Sequence, residues 1–203
     1  MRNDGQRVVI FTDLDGTLLD PDSYSFAPAA EALDFLAHHR IPLVLCSSKT
    51  RAEIELFQLD LRLEHPFISE NGGALFLPRR YFPFSIPDAR PTAGYDVVEF
   101  GAPYHELVEV LHRVAAEVEI RVAGFSDMSV EELAQDSRLT LLQARLAKLR
   151  EYDEPFRILD PRPSAQSRLF HALRRAGRFR CTRGGRYDHL TGPSDKGRAI
   201  RAL

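Results

Sequence analysis

The hydrophobic pattern changes period repeatedly over the first 80 residues. RVVIF, residues 7–11, is an unbroken β-branched and aromatic run, as in a strand buried on both faces. PAAEALDFLAHHR then sets Ala29, Ala32, Leu33, Leu36 and Ala37 on one helical face, with Pro28 suited to the first turn. IPLVLCSS predicts a second strand. TRAEIELFQLDL carries Glu53 three residues after Thr50, a capping-box spacing that predicts a second helix. PFISENGGALFL predicts a third strand, an Asn-Gly-Gly turn and a short return strand. Strand and helix in alternation predict a parallel sheet with right-handed crossovers.

The texture changes near residue 80. Pro78, Pro83, Pro87 and Pro91 stand among aromatic and charged residues, which marks a boundary. Beyond it, YDVVEF, IRVAGF and PFRIL predict strands. PYHELVEVLHRVAAEV and SAQSRLFHALRRAG predict helices, SVEELAQDSRLTLLQARLAKLR one or two more, and FRCTRGGRYDHLTG a hairpin-like pair. The set predicts a second, α+β domain. Leu139, Leu142, Leu146 and Leu149, spaced by three and four, predict a core-facing stripe.

Composition narrows the class. The 203 residues are 44% hydrophobic and 28% charged, as in a folded globular protein of one domain, or of a core with a smaller insertion. The formal net charge of −2 gives no reason to expect nucleic acid or a membrane as partner. Apolar runs of about six residues fall far short of the ~20 that span a bilayer. From Arg168 onward ten Lys or Arg face only Asp188 and Asp195. That basic end suits an anionic small molecule, or an acidic segment from elsewhere. Cys46 and Cys181 fit no metal spacing and imply no disulfide framework, and the N-terminus has no apolar signal region. A cytoplasmic protein is expected.

In open α/β sheets ligands bind at the carboxyl ends of parallel strands. Here the first strand ends in Asp13 and Asp15, the second in Ser47, Ser48 and Lys49, and the third in Glu70 and Asn71. Residues two apart in extended chain point the same way, so the two aspartates can reach one site. Their repulsion is relieved by a divalent cation, and an all-oxygen pair suits Mg2+ shared with a phosphate. One carboxylate can then attack phosphorus while the other moves a proton. Gly16 permits a sharp turn after them. The alternative for DLDG alone is ordinary turn chemistry.

The longer string FTDLDGTLL resembles the first motif of the haloacid dehalogenase superfamily of phosphoryl-transfer enzymes. The resemblance implies a Rossmann-like α/β core with an inserted α+β cap. It makes Asp13 the nucleophile, Asp15 the general acid/base and both metal ligands. It makes Ser47 the phosphate-binding residue, with Ser48 as alternative, and Lys196 of SDKGRAI the later lysine, capped by Ser194 or Asp195. CSSKTRAEI, PFISENGGALF, REYDEPF, GGRYDHL and DKGRA, in that order, are similar to mannosyl-3-phosphoglycerate phosphatases. The implied reaction is hydrolysis of 2-O-mannosyl-3-phosphoglycerate to mannosylglycerate, a compatible solute, and phosphate. The expected organisation is core over 1–80, cap over 81–186 and a returning core segment over 187–203.

A substrate with a phosphate and a carboxylate needs several cations and polar groups. Arg186 offers a bidentate fork, or is one surface arginine among many. His189 contacts substrate, or is a satisfied hairpin histidine. Lys49 and Arg51 at a helix N-terminus are unfavourable unless an anion binds there, which favours Lys49 as ligand. Glu70, Asn71 and Gly72 are assigned to ligand binding, with turn chemistry as the alternative. Glu154, in an acidic cluster that otherwise reads as a solvated face, is assigned to the sugar by resemblance.

One departure stands out. The superfamily's fourth motif, an acidic pair that holds magnesium, has no match after Lys196, where only GRAIRAL follows. The expected consequences are a truncated form of a longer phosphatase, weak metal binding and lowered activity. RVVIF is then expected to be an apolar edge strand, paired with a second copy in a homo-oligomer. Rivals are a phosphatase for glucosyl-3-phosphoglycerate or another phosphosugar, a phosphomutase, and a non-catalytic phosphosugar-binding remnant.

Overall fold

The computed structural model describes residues 8–20, 23–92 and 94–203. Two sheets organise them. The first has six strands: β1 (Ile10–Thr12), β2 (Leu43–Cys46), β3 (Phe67–Ser69), β4 (Ala74–Pro78), β5 (Arg90–Thr92) and β6 (Tyr95–Glu99), in the order β1-β2-β3-β4-β6-β5. β1, β2 and β3 are parallel, as the alternating pattern requires, and the remaining pairings are antiparallel. The second sheet has β7 (Val122–Gly124), β8 (Asp153–Ile158), β9 (Arg180–Arg183) and β10 (Asp188–Thr191), all antiparallel, in the order β7-β8-β10-β9.

This places the division differently from the expected 81–186. β5 and β6 complete the first sheet, and β10 belongs to the second. The proline-rich stretch is therefore a surface excursion within the first sheet. A strand's own pattern gives its two faces but not its partner, and β6 finds its partner in β4 over five residue pairs.

Period-two alternation builds the first core. Leu45, Phe67, Ala74 and Phe76 pack on one face with Leu14 and Ile54, while Cys46, Ile68, Leu75 and Leu77 pack on the other with Ala199. The helix α1 (Ala30–His38) buries no residue fully, but Leu33 of the expected face, with Ala29 just before the helix, packs against the first core, while Phe35, off that face, is 55% exposed. In α2 (Arg51–Leu61) the predicted capping box forms: Glu53 N–H donates to Thr50 Oγ1, and Thr50 N–H to Glu53 Oε2. β1 lies at the sheet's edge, with Val8 and Val9 roughly half exposed beside it.

The second core forms where α3 (Tyr104–Glu117) and α6 (Ala165–Arg175) cover one face of the second sheet. α3 buries Leu107, Val110, Leu111, Val114 and Ala115, and α6 adds Ala165, Leu169 and Leu173. Two short helices follow β7, α4 (Val130–Ser137) and α5 (Leu141–Ala147), each with its own capping box. The expected leucine stripe fails here. Leu142 and Leu149 are exposed, and Ala144 and Ala147 face inward instead, because the chain breaks between α4 and α5 and resets the helical phase.

A polar seam joins the two sheets. The Glu70 carboxylate, fully buried, accepts from Glu151 N–H at 2.9 Å and Tyr152 N–H at 2.8 Å. Arg150 donates through Nη1 to the Ser48 carbonyl at 2.7 Å, and Thr50 Oγ1 to the Leu146 carbonyl at 2.9 Å. The β3–β4 turn that carries Glu70 is centred on Glu70 and Asn71 rather than on Asn-Gly-Gly. Both have positive φ, and Gly72 N–H donates to the Ser69 carbonyl at 3.0 Å.

Two predictions follow from this packing. A Cβ on Gly72 would lie 2.4 Å from the carbonyl carbon and oxygen of Asp195, at φ +91°. Gly72→Ala should therefore cost more than ~2 kcal/mol in urea unfolding, because backbone must move. Gly94→Ala, at φ +83° with nothing within 4 Å, should cost only about 1 kcal/mol. The second concerns pH. Burial pushes Glu70 up to about 8, against the lowering effect of Arg150 and the two backbone N–H groups. The folded chain then holds a proton that the unfolded chain releases above about 4.5. Stability should fall as pH rises from about 4.5 through about 8 and level off beyond it. Glu70→Gln should flatten that slope in denaturation curves taken across the same window.

Candidate active site

The carboxyl ends of β1, β2 and β3 converge, as expected, and the next segments deliver charge to them. Alternation sends Leu14 fully into the core and leaves Asp13 and Asp15 about 40% exposed at the sheet rim. Gly16 takes φ +67° in the turn that follows. α7 (Lys196–Ile200) starts beside this rim. Its cap is Asp195, whose Oδ1 accepts from Arg198 N–H at 2.8 Å, so Asp195 rather than Ser194 fills that role. Ser194 Oγ is buried with no hydrogen-bond partner among the described residues.

Lys196 Nζ donates to Asp13 Oδ2 at 2.5 Å, across 183 positions of sequence. The other Asp13 oxygen accepts from Leu14 N–H at 2.7 Å. Asp15 meets a second ammonium, that of Lys49, at 3.1 Å. Each acid at the rim thus has its own cation.

Lys49 is 8% exposed and also lies 3.8 Å from Glu53 Oε1. Burial works against its charge, but Glu53, Asp15 and Tyr24 outweigh that and raise its pKa. The anions that the helix N-terminus demanded are therefore supplied by the chain itself. Arg51 likewise meets Glu151 at 3.5 Å and Glu55 at 3.9 Å. The Lys49 ammonium sits 5.1 Å from the centre of the Tyr24 ring and 5.8 Å from that of Phe57. Tyr24 is held above its ordinary pKa by burial and by Asp15, against the pull of Lys49. No local pattern marks Tyr24, which reaches this cluster from a turn where its φ is +55°.

Ser47 is fully buried at the end of β2. Its Oγ accepts from Lys49 N–H at 3.3 Å, and its carbonyl accepts from Asn71 N–H at 3.0 Å. The parallel register pairs Thr12 with Leu45, so the two strands reach Leu14 and Ser47 in step. Ser48 is half-buried and contributes its carbonyl to Arg150. Gly72 packs against the peptide between Asp195 and Lys196, where it lets the β3–β4 turn approach α7.

Other expected ligand residues lie elsewhere. Glu70 is consumed by the seam. Glu154 is fully buried on the helix side of the second sheet, where it accepts from Tyr104 Oη at 2.6 Å, Ser126 Oγ at 2.6 Å and Ser126 N–H at 3.0 Å. Its oxygens are thus occupied by Tyr104 and Ser126 on the face of the second sheet opposite to Asp153. Arg186 is exposed at the β9–β10 hairpin and donates to the Asp136 carbonyl of α4 at 3.1 Å, not to the rim. His189 points to the helix-free face and meets Asp153, the neighbour of Glu154, at 2.9 Å. Asn71 Nδ2 donates to the same carboxylate at 2.8 Å. Alternation along DEPFRI could have separated Asp153 from Glu154, because adjacent strand residues face opposite ways.

For a metal, the rim offers the two aspartates. Among the described residues no three acidic, histidine or cysteine side chains converge as a metal set. Two carboxylates do match the donor chemistry of a cation that keeps several waters and shares a phosphate. Both cysteines are free and buried. No helix among the described residues is long and apolar enough to cross a membrane.

Comparison with known proteins places this geometry. Residues 10–80 match the profile of the haloacid dehalogenase-like hydrolases. A glucosyl-3-phosphoglycerate/mannosyl-3-phosphoglycerate phosphatase of Methanococcoides burtonii is 45% identical over 96% of this chain and 71% of its own length. A protein of the same name from Persephonella marina is 40% identical over 97% of this chain and 71% of its own length. A mannosyl-3-phosphoglycerate phosphatase of Pyrococcus furiosus is 37% identical over 96% and 76%. Among solved structures, a haloacid dehalogenase-like hydrolase from Bacteroides thetaiotaomicron superposes with a TM-score of 0.66 at 17% identity, covering 98% of this chain and 76% of the other. The sucrose-phosphatase of Synechocystis superposes with a TM-score of 0.56 at 15% identity, covering 97% and 68%. These two likenesses establish the fold alone. With 96% of its residues matched to a 45% identical relative, the chain belongs to the haloacid dehalogenase-like hydrolases, in the mannosyl-3-phosphoglycerate phosphatase family of phosphoric monoester hydrolases.

Proposed function

We propose that the chain hydrolyses the phosphomonoester of mannosyl-3-phosphoglycerate, giving mannosylglycerate and phosphate. The contact of Lys196 with Asp13 carries this reading, because it brings a remote cation to the acid best placed to take a phosphoryl group. The Asp13 carboxylate attacks phosphorus, the bond from phosphorus to the glycerate oxygen breaks, and Asp15 passes to that oxygen a proton it has taken up from solvent. Water then attacks the phosphoaspartate, Asp15 takes the proton back, phosphate departs and Asp13 is restored. Ser47 and Lys196 hold the phosphoryl oxygens, and Lys49 and Lys196 screen the charge that gathers on them. Mg2+ would be held by the Asp13 carboxylate and by Asp15 through its backbone carbonyl, which leaves the Asp15 side chain free to move the proton, and it would supply further charge neutralisation when bound. The names of the first two relatives support glucosyl-3-phosphoglycerate as a second substrate.

A cytoplasmic setting is part of this proposal, in keeping with two free buried cysteines. So is a homo-oligomer in which a second copy covers β1. Among the described residues no strand pairs with the outer edge of β1, which runs beside a groove of about 560 Å³ lined by Val8, Val9, Val44, Phe82 and Leu203.

Phosphate release from both phosphosugars, with Mg2+ and with a chelator, tests the reading. Wild type should release phosphate on at least one of them, and Asp13→Asn should lose at least ~10³-fold of that rate. Equal, background rates for wild type and variant would leave a binding protein without turnover. For the edge strand, sedimentation should show a dimer or larger that Val9→Lys shifts toward monomer. A wild-type monomer in which residues 8–12 resist hydrogen exchange would rule the pairing out.

A further inference from the structure

The cap-side histidine is the strongest feature left unused by the chemistry at the rim. Its ring is pinned at Nδ1, while Nε2 lies beside Gly184, where a Cβ would stand 3.0 Å from it. Nδ1 lies 2.9 and 3.1 Å from the two Asp153 oxygens. Nε2 has no hydrogen-bond partner among the described residues, and the side chain keeps 19% exposure. Asp153 is fully buried, and one of its oxygens also takes the Asn71 Nδ2 hydrogen bond. Asn71 is tied through its own N–H to the Ser47 carbonyl. A continuous set of contacts therefore runs from the phosphate-binding strand end, through one buried carboxylate, to a half-open imidazole on the second sheet.

His189 also faces the right way. Leu190 packs into the core beneath α3 and α6, so alternation turns His189 and Thr191 to the opposite face. Cross-strand pairing sets Thr182 opposite His189 and Asp153 opposite Thr191. The other titratable groups near Asp153 among the described residues are Arg150 and Glu70, both committed to the seam.

We propose that Asp153 is a positioning residue that fixes the His189 ring so that Nε2 receives a hydroxyl of the sugar part of the substrate, with Asn71 tying that pose to the phosphate-binding end of the first sheet. A carboxylate at Nδ1 selects the Nδ1–H tautomer and leaves Nε2 as an acceptor, the pairing that a sugar hydroxyl donor needs. This rests on the phosphosugar reading above and assigns the recognition of its non-phosphate part. Asn71→Gly keeps the positive φ of the turn and removes only the tether.

Two readouts separate the inference from that reading. Nitrogen-15 NMR of the histidines should show His189 as the Nδ1–H tautomer in wild type and as a mixture in Asp153→Ser. Adding mannosyl-3-phosphoglycerate to the Asp13→Asn protein should shift the Nε2 signal, whereas inorganic phosphate alone should not. In kinetics, Asp153→Ser and His189→Ala should raise KM for mannosyl-3-phosphoglycerate roughly tenfold. Their loss on p-nitrophenyl phosphate, which has no sugar hydroxyls, should be smaller by a similar factor. Asn71→Gly should fall between wild type and Asp153→Ser. If wild type hydrolyses neither phosphosugar but the tautomer and the sugar-dependent shift behave as stated, the positioning holds and the phosphatase reading falls. If the tautomer is the same in Asp153→Ser, or both substrates lose equally, Asp153 does not position His189.

Discussion

Two carboxylates held at one strand end repel each other, and everything at the rim answers that repulsion. Asp13 and Asp15 are kept there because Leu14 between them is buried and the strand alternates. Their charge is met by ammonium groups from two other segments, Lys196 after the second sheet and Lys49 before α2. A pair of ionised groups so close to a low-dielectric core is unfavourable alone and tolerable with counter-ions. The same arrangement suits phosphoryl transfer, since the cations that neutralise the acids are the ones a phosphate would meet.

Holding Lys196 in place depends on backbone approach as much as on charge. Gly72 allows the β3–β4 turn to touch the peptide leading into α7, and Asp195 caps that helix. The helix is only five residues long, so its own hydrogen bonds contribute little, and tertiary contacts fix its start. Ala199 packs under the first sheet and anchors the other end. The lysine's position is thus a result of packing around it rather than of its pair with Asp13.

Much of this was legible in the sequence, and the misreadings have physical causes. The apolar runs of β1 to β3 and the Thr50–Glu53 cap announce themselves through local chemistry, and locality is what a single sequence records, although β1 proves to be a half-buried edge strand. β6 read as a strand but was assigned to the wrong sheet, because alternation specifies faces and not neighbours. The leucine spacing across 139–149 looked continuous, yet Thr140 starts a new capped helix and resets the phase. Resemblance points to Glu154 as a sugar contact. It lies one residue, and therefore one sheet face, away from Asp153, which holds His189. Tyr24 had no sequence signal at all, since nothing local to its turn marks the Lys49–Asp15 pair as its neighbours.

The seam between the two sheets explains why these details matter. An apolar interface tolerates small slides, because burial is non-directional. Here the join is made by buried directional groups: Glu70 takes two backbone N–H groups, Arg150 a carbonyl, and Asp153 an amide and an imidazole. Such groups add little net stability when paired and cost several kcal/mol when one partner is removed. They therefore favour one docking pose over its neighbours more than they favour docking itself. A substrate that reached both the rim and His189, as proposed, would need that discrimination, because a misplacement of about one ångström can cost a reacting geometry its alignment.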